Sequence, residues 1–218
     1  MSLPILYSLR QCPYAMRARM GILLAGQQVL LRNIVMTNIP NEMLIVSPKG
    51  TVPVLVFDDG SVIDESIDVM IWALNQSDPH DLLFEPESTN FSEMMNLIRR
   101  NDNEFVYTLN KYKAASRYHD TNKDSCREQC EIFISELEQR LNKYEYLMKN
   151  TPSLADYAIL PFIRQFSRVD RKWYNQLPYP NLQNWLEKHY KNPMFSKVMK
   201  KYPLWLEDKG LTTFGYDY

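Results

Sequence analysis

The fold class the sequence predicts is an α/β domain followed by an all-helical domain, and three observations predict it. Strand and helix signals alternate through the first third of the chain. The character changes at "NQSDPHDLLFEPEST" (residues 75–89), where two prolines and many polar residues break any periodicity. Beyond that stretch there is no convincing strand signal. The expected division is therefore residues 1–76 as an α/β domain built on a mixed four-stranded sheet, 77–88 as a linker, and 89–218 as a domain of helices only.

In the first third, "PILYS" is a short apolar run and reads as a strand. From Pro13, the residues Met16, Met20, Leu23 and Leu24 recur at helical spacing, and Gly26 supplies the stop. "QVLLRNI" reads as a second strand. "VPVLVF" is a third; Asp58-Asp59-Gly60 turns the chain, and "SVI" returns. Ile67, Met70, Ile71 and Leu74 then form one buried helical stripe. In the second part, Ile132, Phe133, Leu137, Leu141, Tyr144 and Met148 mark a long amphipathic helix. "TPSLADYAILPFIRQF" opens with Ser153 as N-cap and Asp156 three residues on, a capping box with Asp in place of Glu. Its apolar residues leave little polar face, so this helix is expected at the centre of the second domain. "NLQNWLEKHY" and "NPMFSKVMKKY" read as two shorter helices.

A chain of 218 residues carrying 25 Lys and Arg against 26 Asp and Glu has a net charge of −1. That balance offers no electrostatic footprint for nucleic acid and no basic tail for a membrane surface. No apolar run is long enough to span a bilayer, and the N-terminal residues lack the basic region and apolar stretch of a signal peptide. Three cysteines do not make a disulfide framework, so a reducing cytoplasm is the expected compartment.

One cysteine stands apart. In "YSLRQCPYAMRARMGILLAG", Cys12 falls between a strand and a helix, with Pro13 at the first helical position. Backbone N–H groups of the first turn are then expected to face the sulfur, and the helix dipole favours negative charge there. Arg10, Arg17 and Arg19 add positive charge nearby. These conditions favour a thiolate nucleophile. The alternative is a buried, inert cysteine at a strand–helix junction.

Three segments carry a resemblance in register: "LYSLRQCPYAMRARMGILLAG", "SPKGTVPVLVFDDGSVIDESIDVMIWAL" and "PSLADYAILPFIRQF". Together the chain resembles the cytosolic glutathione S-transferases, and most closely the cysteine-type, omega-like and related bacterial members. The resemblance implies a thioredoxin-like first domain, a helical second domain, a homodimer, and glutathione as co-substrate. It implies that Pro53 is cis, and that Val52 offers its backbone N–H and C=O to the cysteinyl unit of glutathione like an added strand. It also implies that Glu65 accepts the γ-glutamyl ammonium while Ser66, at a helix start, holds the neighbouring carboxylate. The basic residue for glutathione's glycyl carboxylate has no clear match; Lys49 and Arg10 are the nearby candidates. Ala15 stands where a second cysteine would complete a C-x-x-C pair, which disfavours dithiol chemistry.

The expected activity is thiol transfer through a Cys12–glutathione mixed disulfide, in detoxification or deglutathionylation. Two alternatives stay open: a transferase conjugating glutathione to carbon electrophiles, and an inactive regulatory or interaction protein on the same fold. Tyr7 lies close to where tyrosine-type transferases place a catalytic hydroxyl, but a packed strand residue is the simpler expectation. Cys126 and Cys130 share a helix face yet make only half a zinc site, and His80, His119 and His189 lack ligand spacing, so no metal is expected. Tyr107, Tyr112 and Trp173 are candidates for an electrophile pocket or simply for the core.

Overall fold

The structure, a computed structural model, describes residues 2–215. The first unit is thioredoxin-like: β1 (Ile5–Ser8), α1 (Pro13–Leu24), β2 (Gln28–Asn33), α2 (Asn41–Val46), β3 (Val54–Val56), β4 (Val62–Ile63) and α3 (Ser66–Gln76). β1 pairs with β2 in parallel, and β3 runs antiparallel to β1, with Tyr7 opposite both Arg32 and Val54. Both faces of the central strands are covered: the cross-strand pair Leu6 and Leu55 is buried on one face and the pair Tyr7 and Val54 on the other. α1 is buried on nearly every side, because α3 covers one face so closely that a Cβ on Gly21 would lie 2.7 Å from the Met70 Cα. α2 escaped the sequence reading, since "MLIV" after Pro40 carries no helical period over so short a span.

The helical unit spans Asp81–Lys191. It contains α4 (Thr89–Arg100), a π-helical turn (Asn101–Phe105), α5 (Val106–Tyr118), α6 (Lys123–Lys143), α7 (Leu154–Val169), α8 (Arg171–Tyr174) and α9 (Pro180–Lys191). α7 is its buried centre, and the predicted capping box is present: Asp156 accepts from the Ser153 N–H at 2.8 Å and its hydroxyl at 2.9 Å. The buried stripe of α6 runs through Cys126, Cys130, Phe133, Ile134, Leu137 and Leu141, while Ile132 points outward and Tyr144 and Met148 lie past the helix end.

The expectation of helices alone after residue 89 is corrected. After α10 (Pro193–Val198) and α11 (Trp205–Asp208), β5 (Thr213–Gly215) pairs antiparallel with β2, so the sheet has five strands in the order β4-β3-β1-β2-β5. Residues 192–215 accordingly cluster with residues 2–80 rather than with the helices. A three-residue strand with one inward Phe214 shows no period of its own; the open edge of β2 recruits it. Gly215 is required there, because its φ is +134° and a Cβ would meet the Gln27 carbonyl oxygen at 2.0 Å.

Candidate active site

Every predicted site residue lies in the first unit. Cys12 is the N-cap of α1, and Pro13 starts the helix at once. The turn before it closes through the Cys12 N–H donating to the Leu9 carbonyl at 3.2 Å. Its sulfur makes no hydrogen bond to the first-turn N–H groups; Sγ instead lies 3.8 Å from the Val52 carbonyl. A protonated thiol is a donor, so it turns toward an acceptor rather than toward other donors. Val52 precedes β3, and its bond to Pro53 is cis. Cys12 packs there against a buried cluster that includes Tyr7, Ala15, Val52, Val54 and Trp205.

Glu65 is the N-cap of α3, and Ser66 is its first residue, buried. The Lys49 ammonium reaches Glu65 at 2.6 Å and Asp64 at 3.4 Å. Burial works against its charge, but the two carboxylates outweigh that and hold Lys49 above the usual lysine value. Ser47 donates to Asp64 at 2.8 Å, completing an acidic shelf at the start of α3. Lys49 thus serves the Glu65 carboxylate. Arg17, wholly buried on α1, approaches the Ser66 hydroxyl at 3.4 Å, which ties the helix behind Cys12 to the helix behind Glu65.

Tyr7 is a core residue. Its ring is 2 % exposed and its hydroxyl accepts a short hydrogen bond from Arg32. Burial pushes its phenol up, against the pull of the Arg32 guanidinium. Sequence reasoning missed Arg32 and Trp205: the Arg32 guanidinium lies 3.9 Å from the Trp205 ring centre, and the Lys209 ammonium 3.8 Å from it. A cavity of about 640 Å³ opens beside the Cys12 turn, between Leu9, Arg10 and Ile34 on one side and Tyr202 and Leu204 on the other.

The discounted residues sit elsewhere. Cys126 and Cys130 are free and buried, and burial pushes the Cys130 thiol up to about 11. Tyr112 and Trp173 pack on Phe166, while Tyr107 is exposed beside Lys111. Among the described residues no group of His, Cys, Asp and Glu could hold a metal ion, and no helix is long and apolar enough to cross a membrane.

Two family models match in register with the two units: "Glutathione S-transferase, N-terminal domain" over residues 6–80 and "Glutathione S-transferase, C-terminal domain" over residues 101–193. The chain belongs to the glutathione S-transferase family. The chain is 25 % identical over 192 residues to glutathione S-transferase omega-1 of Mus musculus, covering 87 % of this chain and 78 % of that one. Among solved structures it is similar to a glutathione transferase family member from Pseudomonas fluorescens with two glutathione bound, with a TM-score of 0.79 at 17 % identity, covering 91 % of this chain and 92 % of that one. A glutathione transferase of Phanerochaete chrysosporium in complex with oxidized glutathione also gives a TM-score of 0.79 at 17 % identity, covering 90 % and 94 %. At such identity these two likenesses speak for the fold of this chain.

Proposed function

We propose that this glutathione S-transferase is a glutathione-dependent thiol transferase with Cys12 as its nucleophile. The observation that carries this is the place of the Cys12 thiol, at the N-terminal end of α1 and 3.8 Å from the Val52 carbonyl that precedes the cis Pro53. Glutathione extends along this edge. Its cysteinyl unit pairs with the Val52 backbone, which brings its sulfur to Cys12. Its γ-glutamyl ammonium meets Glu65, and its α-carboxylate meets Ser66 at the start of α3. For the glycyl carboxylate the candidate cations are Arg10 and Lys49, the latter already paired with Glu65 and Asp64. Glutathione as the co-substrate is supported by the family and by the two relatives described with glutathione or oxidized glutathione. A homodimer in the cytoplasm belongs to the same proposal, on the family resemblance.

The chemistry follows from a single thiol. The Cys12 thiolate attacks the glutathionyl sulfur of a mixed disulfide between glutathione and a substrate thiol. The old S–S bond breaks, the substrate leaves as a thiolate that takes a proton from water, and a Cys12–glutathione disulfide forms. Ala15 offers no resolving thiol, so a second glutathione thiolate attacks the adduct, releasing oxidized glutathione and restoring the Cys12 thiolate. Kinetics of the ping-pong type are expected.

Exposure to oxidized glutathione followed by intact-mass and peptide analysis tests this. One adduct confined to Cys12 is expected; no adduct, or adducts only on Cys126 or Cys130, sinks the proposal.

A further inference from the structure

Arg19 sits on α1 seven residues after Cys12, two helical turns along the same face, and its side chain reaches back toward the N-terminus. Arg19 is 3 % exposed, and its guanidinium makes four hydrogen bonds. Nη1 donates to the Ser8 hydroxyl and to the Leu9 carbonyl at 3.2 Å, Nη2 to the Arg10 carbonyl at 2.6 Å, and Nε to the Val198 carbonyl at 3.1 Å. The Leu9 carbonyl is the same one that receives the Cys12 N–H, so Arg19 grips the turn that delivers the thiol. The fork also binds that turn to the end of α10.

All four acceptors are neutral, and among the described residues no carboxylate pairs with Arg19. A buried cation without a counter-charge is costly. Burial holds the guanidinium down to about 10, and the Cys12 sulfur works in the opposite sense.

We infer that Arg19 is a positioning residue with two tasks: it fixes the Ser8–Cys12 turn through its fork, and it is the resident counter-charge of the Cys12 thiolate. The inference rests on the proposed role of Cys12 as nucleophile. The neutral oxygens orient the guanidinium while the thiolate, when it forms, completes the pair.

Two variants of the full chain separate charge from scaffolding. Arg19→Gln keeps an N–H donor for the carbonyls but removes the charge; Arg19→Lys keeps the charge. The readouts are the rate of Cys12 alkylation by iodoacetamide at neutral pH, followed by peptide mass, and the ultraviolet absorbance of the thiolate, with circular dichroism as the check on folding. Arg19→Gln is expected to slow Cys12 about tenfold or more, the loss of one charge-assisted interaction, and to lower the thiolate absorbance. Arg19→Lys is expected to slow Cys12 less than Arg19→Gln does, because the counter-charge survives although the fork does not. A folded Arg19→Gln that reacts at the parent's rate overturns the inference. If Arg19→Gln does not fold, Arg19→Lys decides: a folded Lys variant as slow as a protein without the charge, about tenfold down, overturns it. Should Cys12 of the parent react no faster than Cys126 and Cys130, it is the nucleophile assignment that fails, and the comparison of variants is not reached.

Discussion

Cys12 and Tyr7 face the same buried cluster, yet only one has a reactive atom at the surface of the site. The Tyr7 hydroxyl is held by Arg32 inside the unit, whereas the half-buried Cys12 thiol lies at the edge of the cluster beside the Val52 carbonyl. Cys12→Ser is therefore expected to abolish glutathionyl transfer, and Tyr7→Phe to keep most of it in a coupled assay with a glutathionylated substrate. The reverse pattern would install a tyrosine-type conjugating mechanism instead. At Glu65 the prediction concerns binding. Glu65→Ala removes the proposed acceptor for the γ-glutamyl ammonium and leaves Lys49 in its place, so calorimetry should show glutathione affinity weakened by about 1.5–3 kcal/mol. Unchanged affinity would remove Glu65 from the site.

At the scale of elements, α7 and α9 share a buried polar junction. Asp156 accepts from the Leu147 N–H and from the Trp185 indole, each at 2.9 Å, besides its two bonds to Ser153. Asp156→Ala leaves several buried donors without an acceptor, and urea denaturation should show a loss of about 3–5 kcal/mol. His189 lies on the same side of α9, its ring 4.7 Å from that of Trp185 and 5.4 Å from that of Tyr157. Burial holds its imidazole down to about 4 from an ordinary 6.5. Between those values the unfolded chain binds the proton that the folded chain refuses. Stability is thus full above pH 6.5 and falls toward pH 4, by up to about 3 kcal/mol. His189→Leu should flatten that part of the pH–stability curve; a slope unchanged by the substitution would assign it to other groups.

For the whole molecule, the decisive feature is that the chain returns to its first unit after the helices. Trp205 is clasped between Arg32 and Lys209, Lys209 is tied to Glu42 at 3.2 Å, and Phe214 is buried beside β2. The Leu31 N–H donates to the Thr212 carbonyl at 2.7 Å, so the outer edge of β2 is covered. Phe214→Ala should cost about 3 kcal/mol or more and strip the Leu31 amide of its protection from hydrogen exchange. Protection that persists would mean that β2 needs no fifth strand.

Local sequence determined most of the elements and where the candidate thiol sits among them. The period of Met16, Met20, Leu23 and Leu24 marks α1, proline after cysteine places Cys12 at its start, and Ser153 with Asp156 opens α7; each is decided by residues within one or two turns of chain. What lay beyond that range was decided only by the tertiary structure. Arg19 and Arg17 look alike in "MRARM", but packing turns one onto the Cys12 turn and the other toward Ser66. Lys49 could be matched to a ligand from sequence, yet its neighbours across the fold are Asp64 and Glu65. α2 and β5 are too short to show a period, and β5 exists because β2 presents unpaired backbone groups that Thr213–Gly215 can satisfy. Periodicity reports which face of a segment is buried; it does not report what buries it, and that choice is made by pairing and packing between residues far apart in the chain.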